Sequence, residues 1–518
     1  MKKLFIILCI LAVCIIIGVF SLNYYLKNKI NDFIKEEIPS SVKVEYDALE
    51  INSWSGTAHL SNVSVVLQSP NDSLPSTHLT SENLRIQDLS YWDYLVNKKI
   101  HINKIEITDN SLTYYQTKQT DTSSKEQEKP IKLNKNIEID AFKIGPSSIT
   151  IFDNVKDSLL LKIPHLTFDL KEIRTDENIV NEKLPIEFAS INIEADSIFY
   201  RLNPYDNLKI SNLDLKDNSL KIKNASIQTK YSRSRLSQII PKERDHMNLS
   251  IPEMTLNEID WGFQEDRFFA KGDQMIISQP NFNIYRDKLV TDDHKIKPLY
   301  SKMLRELPID LMINNITIDD ANIYYSEKVK SDQPAGEIEF NNLNASIKNV
   351  GNTYNEGEKL TALDIDATFM NQSPIHVNWN FDVQNKLDVF RFKSDVGQLN
   401  ADAMNSFTEP NLLVELSGEL KKSYFDISGN NNTAQINMKM DYDEFKIAVL
   451  NKKKKKNWLV STIANIFVSK DSDDQEDKRF REGSGNATRD KTKSIFNYLW
   501  LSVKSGLIST MTGDGDKS

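Results

Sequence analysis

Residues 316–325 read ITIDDANIYY, and the spacing of their apolar side chains decides the fold. Ile316 and Ile318 alternate with polar neighbours, as do Ile323 and Tyr325, so each pair reads as half-buried strand. Ile323 follows Ile318 by five positions. In an unbroken strand that odd step would send the second pair to the opposite face. Asp319-Asp320 in the gap favours a tight turn or bulge that restores the face.

The same spacing recurs along the chain. It fits Ile105, Ile107, Leu112 and Tyr114, then Phe142, Ile144, Ile149 and Ile151. It fits again at Ile191, Ile193, Ile198 and Tyr200, and at Met254, Leu256, Trp261 and Phe263. The copies start at uneven separations, so they form a loose β-repeat and not a solenoid of strict period. Period-two segments such as IEIDAFKIG, LDIDATF and INMKMDY fill much of the remaining chain. Val, Ile, Phe and Tyr occupy their apolar positions, as a pleated surface prefers.

Around this β-rich body lie segments of different character. Leu4 to Leu26 is almost wholly apolar (LFIILCILAVCIIIGVFSLNYYL). As a helix it covers about 30 Å, the thickness of a bilayer's hydrocarbon core. Its apolar core is too long for a cleaved signal and no A-x-A-like site follows, so it reads as a retained anchor. Both cysteines, Cys9 and Cys14, lie inside it, and the rest of the chain needs no disulfide or thiolate metal site. Gln116 to Pro130 is polar and reads as a disordered loop. Pro298 to Leu307 reads as a short helix with Leu299, Met303 and Leu307 on one face.

The C-terminal region begins with the basic run Lys452–Lys456, including Lys452, Lys453 and Lys454. An amphipathic stretch with Trp458 and Phe467 follows, and a second runs from Thr492 to Met511 with Phe496 and Trp500. Each stretch has two readings: a helix at a lipid interface, or a helix folded back to cap the sheet.

Composition excludes several function classes. The formal net charge is -9, which argues against nucleic-acid binding. No pair among the seven histidines has the spacing of a helical zinc site, and no dinucleotide, P-loop or nucleophile-elbow motif occurs. Asp471 to Glu482 resembles a calcium loop but carries Glu476 where glycine is required, so it reads as a solvated linker. Asp364/Asp366 and Asp441/Asp443 alternate on strands and read as solvated sheet face. No catalytic residue, cofactor or metal site is expected.

Several stretches resemble AsmA-like proteins of the Gram-negative envelope (AsmA/TamB-type, in the bridge-like lipid transfer superfamily), of which this would be a short member. They are EYDALEINSWSGTAHLSNVSVVL (Glu45 to Leu67), IEITDNSLTYY and ITIDDANIYYSE. Residues Asp364 to Leu450 resemble the family's C-terminal module through FRFKSDVGQLNADAMNSFTEP, VELSGELKKSYFDISG and INMKMDYDEFKIAVL. The resemblance implies a mainly β fold: an elongated, twisted antiparallel sheet curled into an open groove, with an N-terminal transmembrane helix and C-terminal amphipathic helices. It implies an inner-membrane, single-pass protein with its bulk in the periplasm that binds or conducts phospholipids in envelope lipid homeostasis. The alternative is a structural or assembly factor that binds other envelope proteins, as in outer-membrane protein biogenesis.

The expected organisation is a transmembrane signal anchor over 1–28, a repetitive β-groove body over 29–360, an AsmA-like C-terminal β module over 361–450 and a tail over 451–518. Expected partners are phospholipids, the inner membrane through residues 4–26 and other envelope proteins, with no nucleic acid. The expected groove lining is Ile105, Ile107, Ile144, Ile149, Ile193, Ile316 and Ile318, which could equally be ordinary core. The expected membrane-interface residues are Lys452, Lys453, Lys454, Trp458, Phe467, Phe496 and Trp500.

Overall fold

The computed structural model describes residues 19, 21–29, 32, 41–68, 75–116, 132–153, 158–450 and 480–512. They are mainly β, 62% strand and 14% helix, built as twisted, mixed sheet. The chain divides into two compact units, residues 1–204 with 208–222 and residues 205–207 with 223–518. The division falls within strands β9 (Asp206–Lys216) and β10 (Ser219–Thr229) of the chain order given below.

In the first unit, β1 (Val42–Glu45) and β2 (Ala48–Asn52) both pair antiparallel with β3 (Thr57–Gln68). Antiparallel pairing continues through β4 (Pro75–Leu89) to β5 (Lys99–Tyr115). Helix α1 (Tyr91–Leu95) joins those two strands. β5 then pairs in parallel with β6 (Asn136–Asp153). β7 (Ser158–Thr175) and β8 (Ser190–Arg201) complete the run antiparallel.

In the second unit, β11 (Asp245–Asn257) pairs through its first half with β14 (Asn281–Asp287) and through its last residues with β13 (Arg267–Ser278). β12 (Asp260–Gln264) pairs with β13. Both β13 and β14 run parallel to β15 (Asp310–Lys328). Antiparallel pairing then passes through β16 (Gly336–Gly351), β17 (Thr361–Phe369), β18 (Ser373–Phe381) and β19 (Phe390–Val396). Beyond the two-residue β20 (Leu399–Asn400) it reaches β21 (Val414–Gly429), β22 (Thr433–Val449) and β23 (Arg481–Thr488). β16 and β17, on either side of the expected boundary at 360, pair antiparallel along their length with one register shift.

The parallel pairs correct the expectation of a purely antiparallel sheet. Period-two alternation reports a half-buried strand but not its direction. Direction follows from the connection, because a parallel neighbour needs a crossover of a dozen or more residues. The polar stretch after Tyr115 supplies one such connection, and residues 288–309 supply the other.

Among the described residues, further α-helices follow α1 in the chain: α2 (Arg233–Ile239), α3 (Tyr300–Arg305), α4 (Asn405–Leu412) and α5 (Ile495–Thr512). The short helix expected near Pro298 is α3, but its inward face differs. Leu299 is buried and Leu304 packs on the same cluster, whereas Met303 is 49% exposed. Tyr300 stacks obliquely on Trp379, with ring centroids 5.5 Å apart. Arg305 donates to Asp388 at 2.8 Å, which pairs a carboxylate that is almost wholly buried.

Most of the expected anchor Leu4–Leu26 and nearly all of the polar stretch Gln116–Pro130 lie outside the described residues. Among the described residues no helix is long and apolar enough to cross a membrane.

Candidate functional site: an apolar sheet face laid out in rows

The odd step of five is a register device. In the first unit Ile107 lies opposite Leu84 and beside Ile144, and Ile144 lies opposite Phe168, which lies opposite Ile193. Five positions away in each strand, Leu112 lies opposite Leu79 and beside Ile149, which lies opposite Ile163. Strand after strand breaks its alternation at the same rungs, so the apolar pairs form continuous rows on either side of a seam.

Backbone conformation at the seam explains the step. Asp109, Ser197 and Asp320 all take left-handed φ values, of 57°, 56° and 53°. Asp and Ser side chains tolerate that region better than β-branched ones do. Asp196-Ser197 and Asp319-Asp320 are each exposed back to back, between inward-facing Ala195 and Ile198 in one strand and Ile318 and Ala321 in the other. Alternation therefore resumes one residue late and on the same face, as the bulge reading requires.

The second unit repeats the pattern. Met275 lies beside Ile316 and Ile277 beside Ile318; across the seam Phe282 lies beside Ile323 and Ile284 beside Tyr325. The row through Ile316 continues to Ile347, Leu363, Trp379, Phe392, Ile427 and Ile436. At β17 the step shrinks: Ala345 and Phe340, five apart, face Ile365 and Phe369, four apart, through a register shift at Asn341–Asn344. The seam ends there.

Cover over these rows is uneven. Ile105, Ile107, Ile144, Ile149 and Ile193 in the first unit, and Ile316 and Ile318 in the second, are all half-buried. Further along the second unit, Trp379, Phe390, Ile427 and Ile436 are buried in one apolar cluster with Tyr498 and Leu499 of α5. Met438, Met440 and Tyr442 form another with Met511. α5 comes this close because glycines face it. A Cβ on Gly485 would sit 2.2 Å from Ser505 Oγ, and one on Gly483 would sit 2.2 Å from Thr510 Oγ1. Burial under the helix pushes the Tyr498 phenol up to about 12.

The sequence-predicted residues thus fall into three groups. The seven isoleucines lie on the rows, five in one unit and Ile316 and Ile318 in the other. Phe496 and Trp500 are on the outer side of α5, 62% and 37% exposed, while its inner side caps the sheet. Lys452, Lys453, Lys454, Trp458 and Phe467 lie outside the described residues, as does most of the acidic stretch before Glu482. Sequence reading missed Leu84, Phe168, Met275 and Ile277, which complete the rows. The same step of five separates Leu79 from Leu84 and Ile163 from Phe168, and could have found them.

The opposite face carries polar clusters. Asp364, Asp366 and His376 bring their ligand atoms within 4.8 Å of one another. His376 Nδ1 and Asp366 Oδ1 are 2.8 Å apart, Asn378 donates to Asp364 at 2.6 Å, and the Asp366 hydrogen bond raises the His376 pKa. All three are at least partly open to solvent, which fits the expected solvated face. Asp441 does not fit it: Met440, Asp441 and Tyr442 are buried in succession, so both faces of β22 are covered there. A bulge in β21 at Lys421 lies beside this stretch.

No protein-family model and no curated protein matches this chain.

Proposed function

We propose that this chain is a non-enzymatic lipid-handling protein, held at a bacterial inner membrane by residues 4–26 with its bulk in the periplasm. The sheet, curled into an open groove, binds or conducts phospholipid acyl chains along its apolar face. The observation that carries this reading is a pair of apolar rows, Leu84–Ile107–Ile144–Phe168–Ile193 in the first unit and Leu256–Met275–Ile316–Ile347 in the second, that stay half-buried from strand to strand, although the neighbouring row through Ile105 is buried at Leu170 and Ile191. A sheet with one apolar face must cover it with something. Acyl chains would do so, and each Å² of apolar surface removed from water contributes about 25 cal/mol. Rows without a deep pocket suit sliding better than tight capture, so no single residue need be essential. α5 covers the face over β21 to β23 and reaches Phe390 of β19, and α3 lies against Trp379 of β18, which leaves the stretch before them for cargo.

The test places photocrosslinking side chains at Ile107 and Ile318 in the full chain in cells. Lipid adducts at both positions are the expected result. Adducts to protein alone would sink the reading and favour an assembly factor whose apolar face binds other envelope proteins.

A further inference from the structure

The most exposed large apolar side chains of the first unit are concentrated in three segments joined through the turn between β2 and β3. Tyr24 (70%) and Tyr25 (56%) lie on helix 21–29, Trp54 (75%) on the turn between β2 and β3, and Trp92 (70%), Leu95 (75%) and Val96 (53%) on and just after α1. Elsewhere in this unit, among the described residues, no large hydrophobic exceeds the 41% of Leu202.

Polar contacts hold the three segments together. The Ser53 backbone N–H donates to Asn23 Oδ1 at 2.7 Å, fixing the turn to helix 21–29. Leu89 N–H donates to the Gly56 carbonyl at 3.0 Å, and a Cβ on Gly56, whose φ is +67°, would sit 2.7 Å from the Leu89 carbonyl oxygen. The turn therefore packs flush against the entry to α1. Ser90 caps α1 by accepting from Asp93 N–H at 3.2 Å, and Asp93 Oδ2 lies 3.0 Å from His101 Nδ1. Lys135 Nζ sits 3.3 Å from the centre of the Tyr94 ring. The apolar tips are thus fixed in place by polar scaffolding and project from it.

We propose that this side of the first unit is a membrane-docking surface, seated in the headgroup and upper acyl zone of the bilayer that receives the Leu4–Leu26 run. Three observations select a bilayer as the occupant. Helix 21–29 contains the last residues of the Leu4–Leu26 run, and Ser53 grips that run at Asn23 and, through its hydroxyl, at the Val19 carbonyl (3.4 Å). Trp and Tyr carry a polar atom on an apolar ring, the chemistry that favours membrane interfaces. Exposed Lys27, Lys29 and Lys98 border the tips and match anionic headgroups. This placement rests on the proposed seating of residues 4–26 in a bilayer, but not on whether the sheet face carries lipid.

The test uses the full chain with Cys9→Ser and Cys14→Ser, bearing a single cysteine at Trp54→Cys, Trp92→Cys or, as control, Leu202→Cys. Each is labelled with an environment-sensitive fluorophore and reconstituted into nanodiscs of phosphatidylcholine and phosphatidylglycerol. The labels replace exposed side chains, so they remove little packing. Labels at 54 and 92 should shift to the blue and lose emission to a shallow nitroxide lipid, while the label at 202 does neither. Equal behaviour at all three positions would overturn the proposal. So would quenching at 54 and 92 only by a nitroxide carried on a second copy of the chain.

Discussion

Gly485 of β23 lies so close to Ser505 of α5 that a Cβ on the glycine would stand 2.2 Å from the serine hydroxyl. This contact lets the last helix lie flat on the sheet and turns the end of an otherwise half-covered face into a closed core. Gly485→Val should lift α5 and cost about 2 kcal/mol. The urea midpoint checks it, and an unchanged midpoint would mean that the helix is not seated there.

Cover along one row should be readable as stability. Ile427 is fully buried beneath α5, and Ile316 is half-buried on the same row. Ile427→Ala should cost about 3–4 kcal/mol, and Ile316→Ala nearer about 1 kcal/mol. Equal losses in denaturant unfolding would show that something roofs Ile316 as fully as α5 roofs Ile427.

The seam depends on residues that accept a left-handed backbone. At Asp320, with φ of 53°, glycine should be neutral or stabilise by about 0.5 kcal/mol, while valine should cost about 2 kcal/mol. Thermal unfolding of the two variants separates strain from side-chain chemistry, since both lose the carboxylate. Valine as stable as glycine would remove the strain argument.

The His101 network should make the anchorage of α1 depend on pH. The hydrogen bond to Asp140 and that to Asp93 raise the His101 pKa above the ordinary 6.5. A raised folded-state value means that the stabilisation is complete below about 6.5 and disappears as pH rises through the folded value. Hydrogen bonds from Asn97, Ser90 and His101 lower Asp93 to about 2, so its contribution is present above the ordinary 3.8 and is lost as pH falls towards 2. The advantage of the native chain over His101→Gln should therefore be greatest near pH 5 and shrink at alkaline pH. An advantage that grows with pH would contradict the assignment.

Much of the repeat was legible because it is written in local spacing. Ile105/Ile107 with Leu112/Tyr114 and Ile316/Ile318 with Ile323/Tyr325 announce strands, a break and a restored face without any knowledge of partners. The capping reading of the last amphipathic stretch rested on its apolar face, and the inner side of α5 bears it out. The buried position of Asp441 and the outward turn of Met303 were not legible, since each depends on what packs against the second side of its element.

The sequence by itself determined the strands, the seam and the apolar side of each strand, because side-chain alternation and left-handed tolerance are properties of adjacent residues. Only the tertiary structure decided which strands run parallel, which rows line up across them and where α5 closes the face. Those outcomes depend on contacts between residues well separated in the chain, such as Met275 with Ile316 and Gly485 with Ser505. Pairing and close approach are set by the shapes of two surfaces meeting, which neither surface encodes alone.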